Sequence, residues 1–243
     1  MRDDLREAYN AVYWAISHVP VLQERFVSWQ RSGPYKPIMQ PDPNDPAWEL
    51  LTIEQIKPLD PLIFGDIGAI INSARTALDI LMYAVLARHA PKPKGKTHFP
   101  ICAIHADFLN TVSMLETKQR VSTIEAAAIK NTRAYRGGDP LLYVLHQLDI
   151  LRKHERLLVL EPSVDVTHLT VLNAHLYVHR GTVNDKPVFY RFPARRLHAT
   201  KGNTHITAEI FFNEPALWIT KQPAISILRH FTQRVREVIV DFP

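Results

Sequence analysis

Charged side chains occur on two segments of the chain that otherwise have the apolar spacing of core helices. One segment covers residues 72–79 and the other covers residues 148–156. Because both segments are expected to face the core, their acids and bases are expected to meet in one polar cluster. The candidate cluster comprises Asn72, Arg75 and Asp79 from the first segment and Asp149, Arg152, Lys153 and His154 from the second. Such a cluster is either an internal network of ion pairs or a binding site.

The first hypothesis is a structural clasp between two helices. Arg75 and Asp79 are four residues apart and Asp149 and Arg152 are three apart, so each pair shares one helix face. In an antiparallel arrangement, Arg75 would pair with Asp149, and Asp79 would pair with Arg152. Removing one partner of such a buried pair costs about 3–5 kcal/mol. A clasp of this kind would therefore fix the register of the two helices.

The second hypothesis is an anion or phosphate site. Arg75, Arg152 and Lys153 would hold the anion, and His154 or His146 would carry a proton. The two hypotheses require different solvent access, because a packed clasp excludes water and an anion site must open to it.

The twelve histidines raise the question of a metal site. His175 and His179 lie on the same side of a predicted strand, and His168 and His205 lie on neighbouring strands. Zinc needs three or four ligands in a defined geometry, and the chain has no H-E-x-x-H and no C-x-x-C. We therefore interpret these residues as surface or strand-packing histidines and predict no metal and no cofactor.

Cys102, the single cysteine, cannot form an internal disulfide, and His98 and His105 are near it in sequence. A Cys–His nucleophile requires spatial contact and a shifted pKa, so a small buried residue is the simpler interpretation. The chain also has no Gly-rich phosphate loop, no G-x-S-x-G and no dinucleotide fingerprint. No catalytic residue is assigned on these grounds.

The composition is that of a globular protein with a modest basic charge. The 243 residues are 46% hydrophobic and 22% charged, and the net charge is +5. This charge weakly favours RNA or another anionic ligand as a partner. The basic residues are scattered along the chain, whereas nucleic-acid binders usually cluster theirs.

The chain is expected to be soluble and cytoplasmic. The apolar stretch Ile67–Leu86 is interrupted by Asn72, Arg75 and Asp79, so it falls short of the roughly 20 largely uncharged residues of a membrane span. Residues 1–4 contain two acids and begin no hydrophobic signal core. We expect no membrane partner, and a homo-oligomer remains an open alternative.

Apolar residues spaced three and four apart predict the helices that position the cluster. The predicted helices are residues 4–18, with Pro20 as a kink or break before a second piece ending near Trp29; residues 66–88; residues 140–156, with Asp139 as N-cap and Pro140 in the first turn; and a last helix that begins at Pro223. Residues 107–130 are mostly helical in propensity.

Residues 31–62 differ in composition from these helices. They hold seven of the eighteen prolines of the chain. Such a density of prolines predicts a long loop rather than a regular element.

The last third of the chain is rich in β-branched and aromatic residues, which predict antiparallel strands. Three or four strands are predicted over residues 157–160, 168–179, 188–192 and 205–212. Helices followed by strands indicate an α+β fold, with a helical body over residues 1–156 and strands plus a final helix over residues 157–243. The second part is small for independent stability, so the two parts are expected to share one core.

The order of short motifs resembles a group of uncharacterised bacterial proteins. The chain has N-x-x-R-x-x-L-D from Asn72 to Asp79, F-P-I at residues 99–101, and K-H-x-R-L from Lys153 to Leu157. The pattern covers most of residues 60–243. It implies a bacterial protein and assigns no reaction.

The helical part also resembles HEPN-type bundles, many of which bind or cleave RNA. HEPN nucleases carry an arginine that is followed, after four to six intervening residues, by a histidine near a helix end. In this chain only Arg191 and His198 have that spacing, and they lie in the predicted strand region. The resemblance implies RNA binding, or a ribonuclease that lacks the usual Arg/His motif.

Three functions are compatible with these observations. The favoured one is a non-catalytic binding or scaffolding protein. The alternatives are a HEPN-like RNA-binding protein or ribonuclease, and an enzyme that uses the region of Arg75, Asp79, Arg152 and His154.

Overall fold

The computed structural model confirms the α+β class. It describes residues 2–95, 97–169, 177–183, 186–194, 204–215 and 217–243. After a 3₁₀ turn at Asp3–Leu5, the described elements are α1 (Arg6–Arg31), β1 (Tyr35–Asp42), β2 (Asp45–Gln55), α2 (Pro61–His89), α3 (His105–Thr117), α4 (Thr123–Asn131), α5 (Pro140–His154), β3 (Leu160–Leu169), β4 (Tyr177–Val183), β5 (Lys186–Pro193), β6 (Thr204–Phe212) and α6 (Ala224–Val240).

The chain divides into two compact units, and neither is a continuous stretch. The helical unit comprises Met1–Glu24, Pro61–Leu160 and Phe211–Pro243, and the strand unit comprises Arg25–Asp60 and Glu161–Ile210. This division differs from the predicted boundary between residues 156 and 157. The hairpin near the N-terminus belongs with the later strands, and the C-terminal helix belongs with the helices.

The helical unit is built around α2. Its apolar residues, from Ile63 to Leu86, are buried at helical spacing, and α2 packs against α5 and α6. Among the described residues, α2 is the one helix with the length and apolar composition of a membrane span, although the sequence was expected to fall short of that. A buried core helix meets the same criterion, and packing against two neighbours gives α2 that character.

Helix α1 is continuous through Pro20. Of the two predicted alternatives at this proline, a kink or a break, the break is therefore wrong. The buried positions Val12, Val19 and Leu22 keep their helical spacing on both sides of the proline, while Pro20 itself is exposed. Burial of that apolar stripe therefore outweighs the backbone hydrogen bond that a proline removes.

The segment of predicted helical propensity over residues 107–130 forms two helices, α3 and α4. A turn after α3 places Gln119 at a positive φ of 51°. Ser122 then caps α4: its side chain accepts a hydrogen bond from the Glu125 N–H, and Glu125 bonds back to the Ser122 backbone. This capping box starts a new helix inside a stretch of uniform helix propensity. The predicted Asp139 cap of α5 is confirmed, since its carboxylate accepts from the backbone of Leu141 and Leu142.

The loop predicted over residues 31–62 is wrong, because most of it forms the hairpin β1–β2. The strand order of the four-stranded sheet is β1-β2-β5-β4, so β1 lies at its edge. Pro37 and Pro41 are in β1, where a strand that pairs on one side tolerates residues without an N–H. Asp42 accepts a hydrogen bond from the Asn44 N–H at 2.9 Å and closes the turn.

The remaining strands agree in number with the prediction and differ in their limits. Strands β3 and β6 form a separate two-stranded sheet, and β3 begins at Leu160 rather than at residue 157. The predicted strand 168–179 corresponds to the end of β3 and the start of β4, and residues 170–176 lie outside the described part of the chain. In β5, Arg191 stacks 4.6 Å above the Trp48 ring and pairs with Asp42 at 2.8 Å.

Candidate functional site

Helices α2 and α5 lie antiparallel, and their interface carries the predicted polar residues. The Arg152 guanidinium bonds to Asn72 of α2, whereas Arg75, further along α2, bonds to His146, which is earlier in α5. The helices approach closely at Gly68, where an added Cβ would lie 2.8 Å from Cδ of Arg152. We call this interface the polar seam; it comprises Asn72, Arg75 and Asp79 of α2 and His146, Asp149, Arg152 and Lys153 of α5.

Arg75 is the most buried cation of the seam, with 5% of its side chain exposed. All three of its side-chain nitrogens bond to protein groups. Nη1 donates to Asp79 Oδ1 at 2.6 Å, Nη2 donates to the Phe99 carbonyl oxygen at 3.2 Å, and Nε donates to His146 Nδ1 at 3.3 Å. Each of these bonds satisfies an N–H donor that burial has removed from water and that would otherwise have no hydrogen-bond partner.

Asp79 completes the arrangement by bonding to the peptide group on the other side of the Phe99 Cα atom. Its Oδ1, which accepts from Arg75, also accepts from the Phe99 N–H at 2.9 Å. The ion pair therefore holds both the N–H and the C=O of Phe99, whose ring is buried. We call Arg75, Asp79 and the Phe99 backbone the Phe99 clamp. It joins the N-x-x-R-x-x-L-D and F-P-I motifs, which are separated in sequence.

The other end of the seam is centred on Asp149, which has 6% of its side chain exposed. Asp149 accepts from Lys153 Nζ at 2.6 Å and from Arg152 Nη2 at 3.3 Å. Arg152 Nη2 also donates to Asn72 Oδ1 at 3.0 Å, and this bond crosses to α2. The Nε atom of Arg152 is buried and has no hydrogen-bond partner among the described residues.

The crosswise ion pairs expected from the sequence are not formed between these four described residues. Arg75 pairs with Asp79 and Arg152 with Asp149, each along its own helix. The register explains the difference. Asn72, which meets Arg152, is two helical turns from Asp79, about 10 Å along α2, so Asp79 and Arg152 are out of reach of each other.

The structure places the two histidines of the anion-site hypothesis differently. His154 is exposed and makes no hydrogen bond or ion pair within the described part of the chain. His146 is half-buried, and its Nδ1 accepts from Arg75, so its ring is neutral. Burial and the adjacent Arg75 charge lower the pKa of His146 from 6.5 to about 4. A neutral acceptor with this pKa suits an internal network better than a proton carrier near pH 7.

The seam is therefore a poor anion site. Arg75 is committed to protein partners, and the Asp79 and Asp149 carboxylates lie against the cations that would hold an anion. An incoming anion would have to displace or approach these carboxylates. The geometry fits the structural clasp, with pairs other than those expected.

A second buried carboxylate cluster was missed by the sequence prediction. Glu125 accepts from Arg88 Nη1 at 2.8 Å, from Ser122 N–H at 2.7 Å, and lies 2.6 Å from His89 Nε2. Burial alone would raise the pKa of Glu125, but these hydrogen bonds outweigh it and lower the pKa from 4.5 to about 2. The S-x-x-E spacing of Ser122 and Glu125 was a visible signal for this cluster.

The sequence prediction also missed an open groove on the helical unit, with a volume of about 420 Å³. It is lined by Asp4, Glu7, Ile80, Tyr83, Ala84, Ala87 and Arg88. Its apolar α2 residues are Ile80 and the residues three, four and seven positions after it. At this spacing they form a second apolar stripe on α2, beside the buried one. The spacing of this stripe is visible in the sequence. Spacing shows which residues share a helix face, whereas packing determines whether that face is buried or open.

The remaining candidate residues do not assemble into a site in the described part of the chain. Cys102 is half-buried, and its backbone bonds to Ala134 and Arg136. The described residues contain no group of three metal-ligating side chains. The side chains of His168, His175, His179 and His205 and the residue His198 lie outside the described part.

No protein-family model, no curated protein and no solved structure matches this chain. The resemblances to bacterial proteins and to HEPN-type bundles therefore remain predictions.

We expect Asp79→Ala to lower the free energy of unfolding by about 3 kcal/mol. This is the lower end of the cost of breaking a buried pair, because Asp79 is partly exposed while Arg75 is not. Urea unfolding of the full chain would measure it. The control is Glu116→Ala, which removes a pair with Lys130 in which both side chains are partly exposed, and it should cost at most about 1 kcal/mol. Equal losses in the two variants would show that the Phe99 clamp contributes little.

We also expect stability to fall on acidification from pH 6.5 to pH 4, in part because of His146. Its pKa is about 4 when folded and near 6.5 when unfolded, so the unfolded state binds more protons between these values. His146→Gln should flatten the plot of unfolding free energy against pH in this window. His154→Gln, at an exposed position, is the control. An unchanged slope in His146→Gln would refute the burial of a neutral imidazole.

Proposed function

We propose that this chain is a soluble, cytoplasmic bacterial protein that acts by binding or scaffolding rather than by catalysis. The observation that carries the proposal is a contrast within the helical unit. The cluster of charged residues is closed by its own ion pairs, whereas the open concave surface is mainly apolar.

The closed seam supports the non-catalytic part of the proposal. A catalytic cluster keeps a base, a nucleophile or a cation available to substrate. Here Arg75 bonds to Asp79, Phe99 and His146, and the lowered pKa of His146 follows from burial against a cation. Perturbed pKa values also arise in structural ion-pair networks.

The open groove supports the binding part of the proposal. Its α2 face presents Ile80, Tyr83, Ala84 and Ala87, and 49% of Tyr83 is exposed. Exposed aromatic and aliphatic side chains that line a concavity are typical of recognition surfaces. The Asp4 carboxylate beside them is paired with Arg88 at 2.6 Å.

Solubility is consistent with the packing of α2. Its apolar residues are covered by other helices of the same unit, which accounts for their hydrophobicity without a membrane. A basic net charge of +5 would keep such a protein dispersed in water.

The proposal predicts that inorganic phosphate leaves the seam unaffected. The ring resonances of His146 and His154 would be followed by NMR at pH 7 while phosphate is added at constant ionic strength. We expect no saturable shift at His146. Arg152→Met is the matched variant, because it removes the cation with an unpaired nitrogen. A saturable His146 shift in the wild type that is lost in Arg152→Met would favour an anion site and contradict the proposal.

A titration with RNA tests the alternative function of RNA binding. A fluorescein-labelled single-stranded RNA, titrated at 50 and 200 mM salt, would show affinity that falls steeply with salt if the protein neutralises several phosphates. We expect weak binding that does not change in Lys153→Met. Tight, salt-dependent binding that this substitution weakens would overturn the proposed function.

A further inference from the structure

Resting on the proposed binding function, we propose that the groove along α2 docks an amphipathic helix of a partner protein that carries a lysine or arginine for Glu7. The apolar side of that helix would cover Tyr83 and its neighbours. Its basic residue would lie at the border of the apolar stripe.

The floor of the groove has the shape that a helix requires. Ile80, Tyr83, Ala84 and Ala87 occupy one face of α2 at spacings of three, four and seven, so together they form one stripe about two turns long. Ala84 and Ala87 lie one turn C-terminal to the larger Ile80 and Tyr83 on this stripe, and their small side chains leave a shallow depression there. A second helix packs its side-chain ridges into such a depression, and small residues allow the backbones to approach.

The rim of the groove determines the charge of the partner. Arg88 pairs with Asp4 and with Glu125, so its charge is already compensated within the protein. Glu7 lines the groove, is exposed, and has no hydrogen bond or ion pair among the described residues. The uncompensated charge at the groove is therefore negative, and charge complementarity favours a cationic residue on the partner.

The same charge argues against a second copy of this chain as the occupant. A two-fold interface places one groove against its own copy, so Glu7 would face the same acidic rim. A different helix with a basic border satisfies both the apolar stripe and the carboxylate. The cavity of about 420 Å³ has room for a few side chains of such a helix.

The test uses the full chain and two synthetic helical peptides of about 18 residues, labelled with fluorescein. Both peptides carry a leucine and alanine stripe; one has lysines along its border and the other has glutamates at the same positions. Fluorescence anisotropy should show that the lysine peptide binds at least tenfold more tightly. Ala84→Phe, which fills the groove, should weaken its binding at least tenfold.

Glu7→Gln isolates the charge without changing the shape, and it should weaken binding of the lysine peptide about fivefold, as expected for one rim ion pair. Glu24→Gln is the matched control, because Glu24 is an exposed glutamate on the same helix that is not part of the groove. Circular dichroism would confirm that each variant is folded. If the Ala84→Phe variant is not folded, the inference is tested by the comparison between the Glu7→Gln and Glu24→Gln variants.

Several results would overturn the inference. Equal affinities for the two peptides, or equal effects of Glu7→Gln and Glu24→Gln, would remove the role of Glu7. Dimerisation of the wild type that Ala84→Phe abolishes in sedimentation would show that a second copy covers the groove. Failure of both peptides to bind refutes this inference alone, whereas phosphate saturation at His146 refutes the proposed function whatever the peptides do.

Discussion

The ion pair between Arg75 and Asp79 is the constraint on which the arrangement of the helical unit depends. A guanidinium that is 5% exposed needs every nitrogen paired, because an unpaired buried charge costs several kcal/mol. The pairing groups come from three places: Asp79 on α2 itself, the Phe99 backbone, and His146 on α5. Satisfying one side chain thus fixes the position of Phe99 in the connection between α2 and α3, and the register of α5 against α2.

The sequence was informative wherever periodicity decides the structure. The apolar spacing of α2, α5 and α6 predicted helices close to the observed ones. Of the seven candidate cluster residues, six lie along the interface of α2 and α5, and His154 is exposed away from them. The partners within that interface could not be predicted. Helical spacing shows which residues share a face, whereas the choice between Asp79 and Asp149 as the partner of Arg75 depends on an axial offset that packing determines.

The loop predicted over residues 31–62 and the break that was one alternative at Pro20 are both wrong, because a proline does not by itself end a helix or a strand. Pro20 lies on the exposed side of α1, where the buried stripe holds the helix together. Pro37 and Pro41 lie in an edge strand, which pairs on one side only. Conversely, helix propensity is uniform from α3 to α4, and the Ser122–Glu125 capping box begins a separate helix within that stretch. Tertiary placement decides all of these cases, and a single sequence contains little of it.

The central claim is that the polar seam is a structural clasp held by the Phe99 clamp, and amide hydrogen exchange at Phe99 tests it most directly. The Phe99 N–H lies in a connection outside any helix or strand and donates to Asp79. The account predicts that this amide exchanges as slowly as core amides of α2 and becomes fast in Asp79→Asn. Exchange of the wild-type amide at the rate of an exposed loop would show that the ion pair does not hold this segment, and would return the seam to the candidates for an open site.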